Sequence, residues 1–287
     1  MSCSANGLKR HNRFMSISQT SENMVLQSAI GYAHAAGSAL LRRPTELLID
    51  HKTSQTDVVT HMDKLAEELI VSAIHADFPD DGILGEEGAD FESKSGFQWV
   101  IDPLDGTINY LYEVPAWAVS IARVQLATNQ TQVGVVYAPA LSRTYFASLG
   151  QGAYRTDSTA QLSVGSCSEL AQALVGTGFA YDSIHRAGQA RVLTTVLPVV
   201  RDIRRIGSCA LDLCFVAEGL LDAFYERKVN PWDHAAGSLI AREAGATVSG
   251  LRGKSESAEM IVAANPDLHA HIAHLLESVN ADSDNAN

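Results

Sequence analysis

The chain has 287 residues, 46% hydrophobic and 19% charged, an ordinary globular composition and long enough for one large domain or two lobes sharing a core. Lys and Arg total 21 against 33 Asp and Glu, a net charge of −12 that argues against a broad nucleic-acid face but not against small anionic substrates. No apolar run reaches the roughly 18 residues of a membrane span, and four cysteines without CxxC or zinc spacing read as reduced thiols of a cytoplasmic protein.

The first 20 residues, MSCSANGLKRHNRFMSISQT, are polar and slightly basic with no apolar stretch. They read as a disordered tail rather than a signal peptide, with Met15 as an alternative start. Ser21-Glu22 open a predicted helix carrying Val25, Leu26, Ala29, Ile30, Ala33, Ala36 and Leu40 at helical spacing, and Arg42-Arg43-Pro44 close it. A second helix is predicted over 60–75. Thr60 and Asp63 fit a capping box there, and Leu65, Leu69, Ile70, Ala73 and Ile74 make the apolar stripe. FPDDG breaks it, and ILGEE and FQWVID follow as short strands.

WAVSIARVQL, QVGVVYAP and RTYFAS then read as an antiparallel meander, continued by GQGAY. From Leu174 strands alternate with helices. The strands are ALVGTGF, IRRIG, LDAFYE, ATVSG and MIVAAN; the helices are predicted over 184–199, 208–218, 233–244 and 266–279. The pattern is α/β in class, with an α+β half over 21–155, an α/β half over 156–279 and a polar tail over 280–287.

One stretch, WVIDPLDGTINY (99–110), ends a buried strand in two aspartates. Pro103 lacks an N–H, so the strand is expected to stop there. Gly106 permits a tight turn, and Thr107 is expected to cap the next helix through its hydroxyl. Asp102, Asp105, the Leu104 carbonyl and the Thr107 hydroxyl are thereby aimed at one small volume. Two carboxylates so close repel unless a cation separates them, and Mg²⁺ suits oxygen ligands and phosphate substrates. Taken alone, such a turn is equally a solvated acidic loop. Glu86-Glu87 alone reads as an exposed turn, and Asp63 and Asp233 read as helix caps.

Together these pieces resemble the inositol monophosphatase family of Mg²⁺-dependent, lithium-sensitive phosphatases, and within it bacterial inositol-1-monophosphatases of the SuhB type. The resemblance covers residues 25–275. Its signatures stand as WVIDPLDGTINY and WDHAAGSLIAREAGA, with GEE, KTSQTDVVTHMD and RRIGSCALDLCFVAEGLLDAFYE beside them. It implies a layered αβαβα sandwich, a homodimer, and two or three Mg²⁺ ions held by Glu86, Asp102, the Leu104 carbonyl, Asp105 and Asp233. Asp102 is implied to bridge two ions. Glu86 and Thr107 are implied to activate the attacking water, with Asp63 supporting Thr107 and Lys52 near a weaker metal site. Gly106 and Thr107 amides are implied to bind phosphate, and Leu104, Asp105 and Asp233 are counted among the substrate-binding residues. Glu226 is implied to bind sugar hydroxyls, with Gly207, Ser208 and Cys209 lining the sugar side.

Three features depart from the family pattern: Ile108, Cys209, and the pair His61 and His234, which read as exposed helix-surface histidines. The implied reaction is hydrolysis of a sugar or polyol phosphate, first myo-inositol 1-phosphate. Histidinol phosphate, fructose 1,6-bisphosphate and 3′-phosphoadenosine 5′-phosphate are the sister substrates. Arg204 and Arg205 do not suggest a second phosphate pocket, and His185 and Arg186 carry no assignment. A non-catalytic partner of the transcription machinery is the alternative. Direct nucleic-acid or membrane contact is not expected.

Overall fold

The computed structural model describes residues 17–51 and 58–283, so Lys52 lies outside the described residues. Helix α1 (Ile17–Leu41) begins ahead of the predicted start at Ser21 and takes in the last residues assigned to the tail. Its buried face is the predicted one: Val25, Ala29, Ala33, Ala36 and Leu40. A Cβ at Gly37 would meet the Tyr137 ring at 2.5 Å, so the glycine lets α1 lie directly on the sheet beneath it.

Strands β1 (Ile49–His51) and β2 (Val58–Thr60) form a small hairpin ahead of helix α2 (His61–Asp77). The capping box is present, with Thr60 as N-cap and Asp63 bonded back to it. The apolar stripe is rotated from the expected one. Leu65 and Leu69 are 41% and 40% exposed, whereas Met62, Asp63, Ala66, Glu67, Ile70 and Ile74 are buried. Two acids therefore occupy the core-facing side, and both are bonded there, as described below.

The first sheet contains β3 (Gly82–Gly85), β4 (Asp90–Phe91), β5 (Phe97–Asp105), β6 (Ala118–Gln125), β7 (Gln130–Ala138), β8 (Arg143–Ser148) and β9 (Ala153–Arg155), in the order β4-β3-β5-β6-β7-β8-β9. The meander β5 to β9 is antiparallel, and β3 pairs parallel to β5. Strand β5 does not stop at Pro103. It continues to Asp105, paired with Ala118, through a register shift between Asp102 and Asp105. A bulge is where a sheet tolerates a residue without an N–H, so Pro103 bends the strand instead of ending it.

The second sheet is mixed. Its strands are β10 (Leu174–Thr177), β11 (Asp202–Arg204), β12 (Ala223–Glu226), β13 (Thr247–Ser249) and β14 (Ile261–Ala264), in the order β11-β10-β12-β14-β13. Strand β10 runs parallel to β11 and β12, and β14 runs antiparallel to β12 and β13. Helices α5 (Cys209–Glu218) and α6 (Pro231–Glu243) lie between the two sheets. Ala210, Leu211, Ala236 and Leu239 pack with Val100, Ala122 and Val136 of the first sheet. Leu213, Val216 and Ala241 pack with Phe224, Ile261 and Ala263 of the second.

Helices α4 (Ser183–Val196) and α7 (Pro266–Ser278) cover the far face through Val192, Val196, Leu268 and Ile272, while α1 and α2 cover the near one. The layers are thus α, β, α, β, α. Both helices of the middle layer start at one end of the sandwich, where β5 and β12 also finish, and this brings their terminal residues around one opening. No helix among the described residues is long and apolar enough to cross a membrane. The described cysteines, Cys167, Cys209 and Cys214, are free thiols. At the C-terminal end Ala281 is buried, and the Arg227 Nη1 donates to the Ser283 carbonyl at 2.9 Å, so this end is docked on the fold.

Candidate active site

The bulge in β5 turns Asp102, Leu104 and Asp105 into a cavity of about 390 Å³ at the end of the sandwich. Asp102 is buried, and its Oδ1 accepts the Leu104 amide at 2.9 Å, which fixes the side chain over the bulge. Asp105 reaches the middle layer. Its Oδ2 accepts the Ser208 hydroxyl at 2.6 Å and the Ala210 amide at 2.7 Å, at the start of α5. Free amides at a helix start favour a carboxylate, so β5 and α5 are locked at this point. Ser208, expected on the sugar side, does line the cavity, but its hydroxyl serves Asp105 and its oxygen caps α5 by accepting the Leu211 amide.

Gly106, at φ 93°, closes the turn, and α3 (Thr107–Leu111) begins directly after it. A Cβ there would meet the Ala116 carbonyl at 3.0 Å and the Gly207 carbonyl at 3.2 Å, so both space and φ require glycine. Thr107 does not cap this helix; Gly106 holds the cap position without a side-chain bond. The Thr107 hydroxyl instead lies 2.9 Å from Asp63 Oδ1 and 3.1 Å from the Leu104 carbonyl. Asp63 is buried, and its other oxygen accepts both the amide and the hydroxyl of Thr60. Burial raises the Asp63 carboxyl above its ordinary value, and the bonds from Thr60 and Thr107 oppose that rise. The capping box of α2 thus doubles as the support of Thr107. Asn109 ties the same turn to the second half, donating through Nδ2 to the Ala116 and Ile206 carbonyls at 2.6 and 2.9 Å.

Glu86 lines the cavity just past the end of β3. Its turn is held by Glu67, which the sequence reading missed. Glu67 is buried and accepts the Glu87 and Ala89 amides at 2.9 and 3.0 Å. A Cβ at Gly85 would meet Glu67 Oε2 at 2.3 Å, so that glycine makes room for the carboxylate. The spacing of Asp63 and Glu67, four residues on one helix, was the available signal.

Asp233 lies at the third position of α6, not at its cap, because Pro231 starts the helix and Asn230 caps it. Its Oδ2 accepts the Asn230 amide at 2.5 Å, and the residue lines the same cavity. Glu226, at the end of β12, lines the same cavity, as do Gly207 and Cys209. Cys209 is buried at the start of α5, where burial pushes its thiol pKa far up. Ile108 is half-buried in α3. Neither extra histidine is a plain surface residue. His61 is half-buried and its Nδ1 accepts the Leu48 amide at 3.2 Å, while the His234 Nδ1 is buried without a partner.

Electrostatically the cavity is divided. Burial first, then Glu86, Asp105 and Asp233, hold the Asp102 carboxyl far above the usual carboxylate range. Asp233 is raised likewise by burial, Asp105 and Glu86. Asp105 is pushed up to about 6 by burial, against the bonds from Ser208 and Ala210. A hydrogen bond with the Glu86 side chain adds to the rise at Asp102. Among the described residues no three His, Cys, Asp or Glu side chains are already gathered as a metal group. The donors that line this wall are nevertheless all oxygen: four carboxylates and the Leu104 carbonyl. That donor set fits a hard divalent cation, whose charge would offset the burial and the mutual repulsion that raise these carboxyls.

A family model described as the inositol monophosphatase family matches residues 22–281. An inositol-1-monophosphatase of Mycobacterium leprae is 43% identical over 238 residues, covering 80% of this chain and 81% of that protein. A protein named Nus factor SuhB from Pasteurella multocida is 40% identical over 237 residues, covering 80% of this chain and 86% of that one. The solved structure of Mycobacterium tuberculosis SuhB matches with a TM-score of 0.77 at 38% identity, covering 91% of this chain and 99% of that one. The five-layer arrangement and the whole-length matches lead to one conclusion: the chain belongs to the inositol monophosphatase family.

Proposed function

We propose that the chain is a Mg²⁺-dependent phosphate monoester hydrolase, with myo-inositol 1-phosphate as the substrate it accepts best. The observation that supports this most is the single cavity lined by Glu86, Asp102, Asp105, Asp233 and Glu226, with Asp102 buried among the other acids. In this reading Glu86, Asp102, the Leu104 carbonyl, Asp105 and Asp233 hold two or three ions. Bound there, the ions would supply positive charge to the phosphate and lower the pKa of a coordinated water.

The chain's own groups do the positioning. The single proton of the Thr107 hydroxyl is directed to Asp63 and the Leu104 carbonyl, so its oxygen remains an acceptor for a water proton. Glu86, held by the Glu67-bound turn, takes the proton of the attacking water. The amides of Gly106 and Thr107 donate to phosphate oxygens. Glu226 bonds a leaving-group hydroxyl, and Cys209 and Gly207 shape that side. The same reading makes the chain a cytoplasmic homodimer acting on a small sugar or polyol phosphate, without nucleic acid or membrane.

A second reading, a non-catalytic partner of the transcription machinery, draws on the relatives named Nus factor. Phosphate release from myo-inositol 1-phosphate, histidinol phosphate, fructose 1,6-bisphosphate and 3′-phosphoadenosine 5′-phosphate, with and without Mg²⁺, decides between them. The enzyme reading expects Mg²⁺-dependent release that millimolar lithium suppresses and that Asp102→Asn lowers by about a thousandfold or more in a folded protein. No release from any substrate supports the binding-only reading. A tenfold preference for histidinol phosphate would overturn the substrate while leaving the hydrolase.

A further inference from the structure

The chain from β10 into Gly178 turns a bare face to the middle layer. A Cβ at Gly176 would lie 2.8 Å from Asp212 Oδ1, and one at Gly178 would overlap the Glu226 carboxylate. Residues two apart on an extended chain share a face and are spaced by roughly 7 Å. The two glycines thus leave room for two acids side by side, Asp212 from α5 and Glu226 from the end of β12. The Asp212 amide donates to the Ser208 carbonyl at 3.0 Å, one turn earlier. One helix therefore serves Asp105 through Ser208 and approaches Glu226 through Asp212.

Asp212 differs from the bonded acids of α2. It is 1% exposed, yet among the described residues its Oδ1 has no hydrogen-bond partner. Asp63 and Glu67 are buried with their donors in place. Burial, then Glu226 and Asp105, hold the Asp212 carboxyl far above the usual carboxylate range, against Arg205. Glu226 is raised by burial and by Asp105, with Arg205 opposing, and Asp212 is not among the groups that raise it. The influence runs one way, as it does when Asp212 keeps its proton while Glu226 ionises. A neutral carboxylic acid carries an O–H, buried polar groups are as a rule bonded, and the Glu226 carboxylate is the acceptor on the same face.

We propose that Asp212 is a positioning residue for Glu226: held by α5 over the same bare face, it directs its O–H at the Glu226 carboxylate, directly or through one water, and keeps that carboxylate turned to the leaving-group hydroxyl. The proposal rests on the hydrolase reading above, in which Glu226 bonds that hydroxyl, and adds the group that holds Glu226 in place. Asp212 does not line the cavity, so it acts through Glu226 and not on the substrate.

Two esters of the same ring size test this: myo-inositol 1-phosphate and cyclohexyl phosphate, which lacks the hydroxyls. The readout is the ratio of their kcat/KM values, which a general loss of structure does not move. The wild type should prefer the inositol ester, and Asp212→Ala should lower that preference about tenfold. Asp212→Asn, whose amide N–H₂ still donates, should keep it within about twofold. In a Glu226→Gln background, Asp212→Ala should change the ratio by less than about twofold, because the group it acts through is already altered. Equal falls for both esters, the same loss in the Glu226→Gln background, or no wild-type preference overturns the proposal. Asp212→Leu, which refills the space without a donor, replaces an Asp212→Ala protein that does not fold; failure of both to fold marks Asp212 as a core residue and overturns the proposal too.

If neither ester is hydrolysed, the hydrolase reading fails, and calorimetric titration with the same two esters in Mg²⁺ still decides. A preference for the inositol ester that Asp212→Ala weakens fivefold or more supports the positioning of Glu226. An affinity ratio equal in the two proteins, or no preference in the wild type, overturns it.

Discussion

Two buried carboxylates near the ends of neighbouring strands have opposite surroundings. Asp81 lies just before β3 and accepts from Trp99 Nε1 at 2.9 Å, from Arg123 Nε at 2.7 Å and from the Ser95 hydroxyl. Asp102 lies in β5 and is surrounded by Glu86, Asp105 and Asp233. Arg123 is itself sandwiched over the Phe97 ring at 3.8 Å, so the Asp81 charge is paired and the pair is packed. The first carboxylate holds the fold together; the second is tolerated by it. A buried charge with its donors in place is a structural element, and a buried cluster of like charge is a place reserved for something else.

The contrast is broken most readily at Asp81. Asp81→Asn leaves Arg123 without its counter-charge, and a loss of about 3 kcal/mol is expected, read as a Tm drop of several degrees. Phosphate release per folded molecule should stay near the wild-type value. An Asp81→Asn protein as stable as the wild type would mean that the pairing is not what holds this end of the sheet.

Glu67 sharpens the comparison, because it is a carboxylate with its donors in place that serves the like-charged cluster. Glu67→Gln keeps the shape but presents an amide N–H₂ to the Glu87 or Ala89 amide. A tenfold to hundredfold fall in kcat, with KM little changed and the far-ultraviolet spectrum unaltered, is expected when only the aim of Glu86 is disturbed. A matched rise in KM alone would assign Glu67 to substrate binding.

The smallest effect concerns pH. Burial raises Glu226 from 4.5 to about 8, with Arg205 opposing the rise. The folded state then holds a proton that the unfolded state has already lost, so the stability present below the unfolded value declines as pH climbs through the folded one. Melts in chelator across that window should show Tm falling by a few degrees, and Glu226→Gln should flatten the trend. A wild-type Tm that rises over the same range would contradict the assignment.

The fold class and the acidic residues were legible because they rest on local patterns: helical spacing in α1, a meander of alternating strands, and aspartates next to proline and glycine. What was not legible depended on tertiary partners. The stripe of α2 was placed a third of a turn away because Asp63 and Glu67 look like surface residues until their donors, Thr60, Thr107 and the Glu87 amide, are brought beside them. Pro103 reads as a strand end because a bulge requires knowledge of the partner strand β6. Thr107 reads as a cap because its true acceptor is 44 residues upstream. Ser208 reads only as lining of the sugar side because the 207–210 turn meets β5 only through the folded middle layer. Within the cavity, then, the acidic residues that line it are legible in the sequence and their supports are not.

The central claim is that the cluster around Asp102 is a divalent-cation centre. It is tested most directly by thermal melts of the wild type and Asp102→Asn, each in chelator and in millimolar Mg²⁺. A ligand that binds only the folded state stabilises it by RT ln(1 + [L]/Kd), so Tm rises as ligand is added. Addition of Mg²⁺ should raise the wild-type Tm and leave the variant nearly unmoved. Equal Mg²⁺-induced shifts in the two proteins, or no shift in the wild type, would contradict the account.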